Sequence, residues 1–183
     1  MKNRREFFHL SSLGFLSPLM SSPLLQSLRE NDNKKGIVCQ PEDGETFLVR
    51  ENTPITIQVS KKTDSVETIS ICTEEIQPGN QIPVHKHLYA DEFFIFLGGN
   101  GTIEINGVEF PVKSGTSGFV PRATWHSIRN IDNSAVLAFS FGYSPAGFED
   151  FFRQIGTPKG FPFKAKPREE VLVISEKYGM VFK

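Results

Sequence analysis

Several patterns are scarce or missing in this sequence, and each gap narrows the class of protein. The chain has 183 residues and a formal net charge of −1, and its 22% of charged residues form no long run of one sign. Because nucleic-acid binding needs a basic face, we expect no nucleic-acid partner. The two cysteines, Cys39 and Cys72, fit no metal-ligand spacing. They either pair in an oxidising compartment or serve as small buried hydrophobic residues.

Histidine, tyrosine and tryptophan are also few, whereas phenylalanine is abundant. The sequence contains 4 His, 3 Tyr and 1 Trp against 17 Phe, and it has neither an internal repeat nor a low-complexity tract. The length suits one domain with a substantial core. We therefore expect a Phe-rich core in which some rings line a cavity.

The first 35 residues differ from the remainder. A basic patch with Arg4 and Arg5 precedes a moderately apolar run, which Ser, Gly and Pro interrupt, and a polar stretch follows. The adjacent arginines resemble a twin-arginine export signal, although Asn3 replaces the usual Ser or Thr and no A-x-A site is present. We predict that residues 1–35 are an export signal and linker of a periplasmic protein with no membrane segment after processing. The alternative is an amphipathic helix retained in a cytoplasmic protein.

Short β-type runs alternate with turn signals between residues 36 and 143. The runs are ETFLVR, PITIQVS, SVETISIC, DEFFIFL, GTIEI, VEFPV, SGFVP, HSIRNI and AVLAFSF. Asn106-Gly107 is a strong signal for a two-residue hairpin. Many short strands with regular turns predict a sandwich or a barrel.

The pattern becomes helical after residue 143. Phe148, Phe151, Phe152 and Ile155 fall on one helical face, which Ser144-Pro145 precedes and Gly156 ends. A second helix is predicted from Pro167 to about Lys177. Residues 144–183 are therefore expected to form a helical C-terminal extension.

Three histidines and a glutamate form the most informative pattern. His85 and His87 face the same side of a strand, with Cα atoms about 6.5 Å apart, so one ion can bind both imidazoles. An H-x-H pair alone is weak evidence, because most such pairs are ordinary surface or hydrogen-bonded histidines. Glu92 can return beside them after a short turn, and His126 comes from a separate hairpin. Every histidine beyond residue 35 belongs to this set.

These residues lie in two gapped motifs that resemble those of the cupin superfamily. The first motif is matched by Gly79, His85, His87, Glu92 and Gly99, and the second by Gly115, Pro121, His126 and Asn130. Ala123 stands where the second motif usually has glycine. The resemblance implies an all-β fold, a double-stranded β-helix or jelly-roll barrel over residues 36–143, with two short C-terminal helices.

The resemblance also implies a metal site. His85, His87, Glu92 and His126 would be the ligands of one divalent transition metal. Three imidazoles and one carboxylate leave positions open on an octahedral ion, which suits Fe, Mn, Ni or Co, and Zn or Cu can occupy the same ligands. Cupins often form homodimers, so a homodimer is also expected.

No further histidine is left to act as a general base. The candidates are Glu92, another carboxylate, Tyr89, Tyr143 or a metal-bound oxygen, and we assign the catalytic role to Glu92. Phe94 and Phe96 share its strand face and, with Tyr89, are candidate residues of a substrate pocket. For each ring, plain packing in the barrel is the alternative.

The C-terminal stretch GYSPAGFEDFFRQIG has a looser resemblance to bacterial cupins grouped with quercetin 2,3-dioxygenase. It implies a metal-dependent dioxygenase that acts on a small aromatic or enolisable substrate. The basic residues near the motifs, Arg122 and Arg129, form no evident cluster for a phosphate or polycarboxylate. The alternatives are a metal-dependent isomerase, decarboxylase or lyase, and a non-catalytic module that binds a small molecule.

Overall fold

A computed structural model of the chain describes residues 36–183, so the predicted export signal and linker lie outside the described residues. The strands are β1 (Glu45–Arg50), β2 (Thr53–Val59), β3 (Ile71–Ile76), β4 (Gln81–His87), β5 (Asp91–Gly98), β6 (Asn100–Ile105), β7 (Val108–Lys113), β8 (Ser117–Val120), β9 (His126–Asn130), β10 (Leu137–Ser144), β11 (Thr157–Pro158) and β12 (Met180–Phe182). The helices are α1 (Lys61–Asp64), α2 (Asp150–Ile155) and α3 (Arg168–Lys177). Within residues 36–183, none of the helices has the length and apolar character needed to cross a membrane.

The strands form two antiparallel sheets. The first has seven strands in the order β11-β1-β2-β3-β10-β5-β8, and the second has five in the order β12-β4-β9-β6-β7. Neighbours in each sheet are often distant in sequence, as expected when two sheets are wound together. This arrangement is the jelly-roll fold expected from the two motifs.

Alternation of buried and exposed residues explains how the strands form the core. On β2, Ile55, Ile57 and Val59 are buried, while the residues between them are partly exposed. On β5 the inward residues include Phe94 and Phe96. Side chains of this kind from both sheets make one hydrophobic cluster, so the core lies between the sheets.

The Asn106-Gly107 hairpin is present between β6 and β7. Both residues have positive φ, 51° and 83°, and Ile105 pairs with Val108 across the turn. Such dihedrals fit the tight hairpin turns that Asn-Gly sequences favour.

The two cysteines are free thiols, and burial raises the pKa of Cys72 well above its ordinary value.

Two element boundaries differ from the predictions. The run SVETISIC predicted a strand at residues 65–72, but β3 begins at Ile71 and continues through Glu74 and Glu75. Adjacent carboxylates are uncommon in strands, so the local sequence pattern does not predict a strand at this segment. The first C-terminal helix begins at Asp150 rather than near Ser144, because Ser144 is the last residue of β10.

The segment after residue 143 contains strands as well as the two expected helices. Strand β11 pairs with β1 at one edge of the seven-stranded sheet, and β12 pairs with β4 at one edge of the five-stranded sheet. Phe148, Phe151 and Phe152 are buried, as the helical pattern predicted, and Ile155 is partly buried. The C-terminal segment therefore belongs to the packed core.

Candidate metal centre

The three histidines come from one sheet and the glutamate from the other. His85 and His87 lie on β4, and His126 lies on β9 directly opposite His85. Glu92 lies on β5 of the seven-stranded sheet. All four side chains are buried, and one donor atom from each lies within 4.8 Å of the others. The structure thus brings together the four predicted ligands between the sheets.

Backbone carbonyls orient two of the imidazoles. The Nδ1 atom of His85 lies 2.8 Å from the carbonyl oxygen of Pro83, and Nδ1 of His126 lies 3.0 Å from that of Thr124. When Nδ1–H donates to these oxygens, Nε2 is left to face the centre. Imidazole ligands of metals commonly have such a carbonyl partner, which fixes the tautomer and the ring orientation.

His87 is positioned differently, by aromatic packing. Its ring lies edge-on to the ring of Phe148, and their centroids are 4.3 Å apart. The centroid of the Tyr143 ring lies 5.0 Å from that of His87. Its Nε2 is 3.2 Å from a carboxylate oxygen of Glu92, but neither ring nitrogen makes a hydrogen bond. A buried polar atom without a partner is costly, so this imidazole is suited to bind a metal ion.

The electrostatics favour a charged carboxylate among the imidazoles. Burial lowers the pKa of His85 to about 3, with a further contribution from the charges of His126 and His87, so His85 is neutral at pH 7. Burial alone would raise the pKa of Glu92, but attraction to His87 and the hydrogen bond from His126, 2.8 Å long, hold it below its ordinary value. For His126, burial opposes protonation, but the bond to Glu92 prevails and raises the pKa.

The four groups fit a divalent transition metal. Three buried imidazole nitrogens and one carboxylate oxygen form a donor set that accepts first-row ions from manganese to zinc. The orphaned nitrogens of His87 support this assignment independently of the motif. The donor set alone does not select one ion, because affinity order and geometry admit several.

Two turns of the motifs have conformations that explain their residue preferences. Gly99 has φ of 80°, and a methyl group there would collide with the backbone of Val136 and Leu137. Ala123, which replaces a glycine, has φ of 62° in the left-handed region. Its backbone N–H donates to the carbonyl oxygen of His87 at 2.6 Å, so this turn is attached directly to the metal centre.

The metal centre opens into a cavity of about 430 Å³. Its walls are mostly apolar and aromatic. They include Ile55, Phe94, Ile128, Phe139, Phe141 and Tyr143 from the sheets, and Phe148, Phe151, Phe152, Ile155, Phe163, Val171, Met180 and Phe182 from the C-terminal segment. Burial and the charge of Glu92 raise the pKa of Tyr143 well above its ordinary value.

The structure separates the three predicted pocket residues. Phe94 lines the cavity, whereas Phe96 is buried behind it, with ring centroids 6.3 Å apart. Tyr89 does not line this cavity, because it lies in the turn after β4 with 63% of its surface exposed. Asp91 points to the surface, as strand alternation indicates, and accepts hydrogen bonds from Arg122.

Sequence reasoning missed a second polar group of the cavity. Arg50 and Glu74 both line it and form an ion pair. The run SVETISIC predicts a strand that ends at residue 72, so the sequence pattern gives Glu74 no inward position on a strand. The one available signal was its alternation with Cys72 and Ile76, which are both buried.

Comparison with known proteins agrees with the fold and the site. Residues 72–142 match the family Cupin_2, described as a cupin domain. The chain is 28% identical to quercetin 2,3-dioxygenase of Bacillus subtilis over 152 residues, which are 82% of this chain and 44% of that protein. It is 31% identical to the dimethylsulfoniopropionate lyase DddW of Ruegeria pomeroyi over 75 residues, which are 41% of this chain and 47% of the lyase. The chain thus spans about half the length of these two relatives.

Solved structures share the fold. KdgF from Halomonas sp. superposes with a TM-score of 0.53 at 15% identity, covering 63% of this chain and 99% of KdgF. The cupin-domain match over residues 72–142, the relative and the shared fold together support a member of the cupin superfamily. The relatives include a dioxygenase and a lyase, so the match agrees with a metal site but leaves the reaction open.

Proposed function

We propose that the protein is a metal-dependent dioxygenase that acts on a small aromatic or otherwise enolisable substrate. The main support is that a buried His₃Glu cluster opens directly into a cavity whose mostly apolar walls are rich in phenylalanine. A flat apolar substrate would bury its rings against those walls while one of its oxygens reaches the cluster. The match to quercetin 2,3-dioxygenase, which covers 82% of the chain, supports the same reaction class.

In this proposal the protein residues have distinct roles. A bound redox-active ion would polarise the substrate oxygen and supply the activation of O₂. Glu92 accepts the proton of an enolic hydroxyl, because it is the carboxylate of the cluster. Phe148 and Tyr143 hold the ring of His87, and the aromatic walls exclude water from the reacting groups.

The test is metal-dependent oxygen consumption. The purified protein is analysed for bound metals, stripped by a chelator, and reloaded separately with Fe(II), Mn(II), Co(II), Ni(II), Cu(II) or Zn(II). With a flavonol such as 3-hydroxyflavone, we expect oxygen uptake with at least one redox-active ion and formation of an oxygenated product. No metal-dependent uptake with any flavonol would contradict the proposal.

Glu92→Gln tests the assigned base. It retains the size of the side chain but removes its charge, and we expect kcat to fall about 10²–10⁴-fold. Glu109→Gln is the matched control, because Glu109 is an exposed carboxylate paired with Arg129 on the surface. Metal content is measured in both variants, because Glu92 is also a candidate ligand.

A metal-dependent lyase is the second candidate, favoured by the 31% identity to the dimethylsulfoniopropionate lyase over 75 residues. Turnover under nitrogen distinguishes the two reactions, because a lyase needs no oxygen. An isomerase or a decarboxylase would also work without oxygen and would be identified by its product. Saturable binding of an unchanged ligand would indicate a non-catalytic module.

A further inference from the structure

An ion pair with a buried carboxylate lies inside the cavity, apart from the metal centre and from the more exposed Glu51 and Lys166 of its lining. Glu74 points inward from β3 with only 4% of its side chain exposed, and Arg50 at the end of β1 has 36% exposed. A terminal nitrogen of Arg50 donates a hydrogen bond to one carboxylate oxygen of Glu74. We call these two residues the remote pair. Both line the cavity, although neither belongs to the metal cluster.

The remote pair has an unused hydrogen-bond donor. The Nε atom of Arg50 is buried and has no partner. The corresponding atoms of two other arginines do have partners: Nε of Arg122 donates to Asp91 at 3.0 Å, and Nε of Arg153 donates to Glu45 at 2.7 Å. Because a buried N–H is costly to leave unpaired and 36% of the Arg50 side chain is exposed, a turn of this side chain that brings Nε–H to the cavity would pair the donor with a bound ligand.

The charges of the pair indicate which ligand group fits. A carboxylate would accept from Arg50 but would be repelled by Glu74, and an ammonium group would meet the opposite conflict. A hydroxyl group satisfies both residues, because it can accept from the Nε–H and donate to the carboxylate. A hydroxyl is therefore preferred to a charged group at this position.

Strand register separates the backbone positions of Glu74 and of the metal-centre residue Glu92. Across β10, Glu74 is opposite Phe139 and Glu92 is opposite Tyr143, so four residues of β10, or roughly 14 Å, separate the two levels. Between them the wall is formed by Phe139 and Phe141. Because the side chains of Arg50, Glu74 and Glu92 all line the cavity, the gap between their polar atoms is shorter than this backbone separation, and a ligand that reaches both levels needs an apolar body with an oxygen at each end.

We propose that the remote pair is a second substrate-binding site of the cavity, selecting aromatic ligands that carry a hydroxyl at the end far from their metal-binding oxygen. The choice of aromatic ligands rests on the proposed function. A site built to hydrogen-bond a hydroxyl discriminates strongly against an analogue without it, because its own polar groups then remain buried and unpaired.

The test measures binding rather than turnover. Zinc-loaded protein under nitrogen is titrated calorimetrically with 3-hydroxyflavone, 3,4′-dihydroxyflavone and 3,7-dihydroxyflavone, whose second hydroxyl lies on one remote ring or the other. We expect at least one dihydroxyflavone to bind about 10- to 100-fold more tightly than 3-hydroxyflavone. In Arg50→Lys, which keeps the charge but lacks Nε–H, that preference should fall below about threefold while 3-hydroxyflavone binds as before.

Two further variants separate recognition from folding. Arg129→Lys changes a surface arginine paired with Glu109 and should keep the preference. The double variant Arg50→Met/Glu74→Leu removes both charges together and avoids a lone buried charge, so it should fold and lose the preference. Circular dichroism verifies the fold of each variant.

Several outcomes would overturn the remote site: equal affinity for all three probes, no binding of any, or a preference that survives Arg50→Lys. The result is independent of the oxygen assay. A clear preference without oxygen uptake would support the remote site and contradict the dioxygenase. Oxygen uptake without any preference would support the dioxygenase and contradict the remote site.

Discussion

The two polar ends of the cavity are built differently. At the metal end, His85 and His126 are each oriented by a carbonyl oxygen two residues earlier in the chain, and aromatic rings hold His87. At the remote end, Arg50 and Glu74 are 24 positions apart in the sequence and meet only through pairing of β1, β2 and β3. Residues that orient a ligand from nearby in the sequence can form part of a short motif. Two residues that meet only through the register of distant strands produce no recognisable pattern in the sequence.

The substitution with the largest expected effect tests whether the position of His87 depends on packing against Phe148, a residue distant in the sequence. Phe148→Ala should destabilise the protein by about 3–5 kcal/mol, because it leaves a cavity in the core. It should also weaken metal binding, since the ring of Phe148 packs 4.3 Å from that of His87. Urea unfolding of metal-free protein and metal titration measure the two effects separately.

Phe161→Ala is the matched control for that substitution. Phe161 is 66% exposed, so its removal should change stability by no more than about 0.5 kcal/mol. If Phe148→Ala lowered stability but left metal affinity intact, aromatic packing would not be what positions His87.

Loss of a ligand tests the metal end directly. His126→Ala should weaken binding of the preferred ion by more than about 100-fold, or about 3 kcal/mol, since even residues that only support a ligand commonly contribute 10- to 100-fold. Competition with a chromogenic chelator measures the affinity. Ser127→Ala on the opposite face of β9 should bind the ion like the unaltered protein. Equal affinity in both variants would exclude His126 as a ligand.

The remote end predicts a pH dependence of stability. Burial raises the pKa of Glu74 from 4.5 to about 7; the charge of Arg50 opposes this shift, and that of Glu92 adds to it. The folded state therefore binds more protons than the unfolded state between these values. The stabilising contribution is fully present below about pH 4.5 and is lost as the pH rises through about 7.

Glu74→Gln should remove this dependence. Between pH 5 and pH 8, the unaltered protein should lose about 1–3 kcal/mol more of its free energy of unfolding than the variant. Urea unfolding of metal-free protein at both pH values gives the difference. Glu75→Gln, a neighbour that faces solvent, should behave like the unaltered protein. Parallel pH profiles for all three proteins would mean that Glu74 does not titrate in this range.

The same contrast explains what the sequence could predict. The jelly-roll fold, the Asn106-Gly107 hairpin and the gathering of His85, His87, Glu92 and His126 follow from patterns within short segments. The exposed position of Tyr89 depends on the path of one turn, which spacing does not determine. The inward position of Glu74 depends on the register of three strands. From the neighbouring sequence alone, a glutamate in a strand is expected to lie on the surface.

The smallest expected effect concerns the turn that supports His87. An L-residue in the left-handed region is disfavoured by about 1–2 kcal/mol, and Ala123 has φ of 62°. Glycine removes this penalty but gives the unfolded chain more freedom, so Ala123→Gly should stabilise the protein by about 0.5–1 kcal/mol. Ala138→Gly, within β10, should instead destabilise it by a similar amount. Thermal unfolding of both variants in the presence of a chelator should show a higher melting temperature for Ala123→Gly and a lower one for Ala138→Gly. If both lowered the melting temperature equally, the backbone strain assigned to Ala123 would be absent. If Ala123→Gly alone raised it, the glycine of the second motif would be explained by the backbone rather than by the metal.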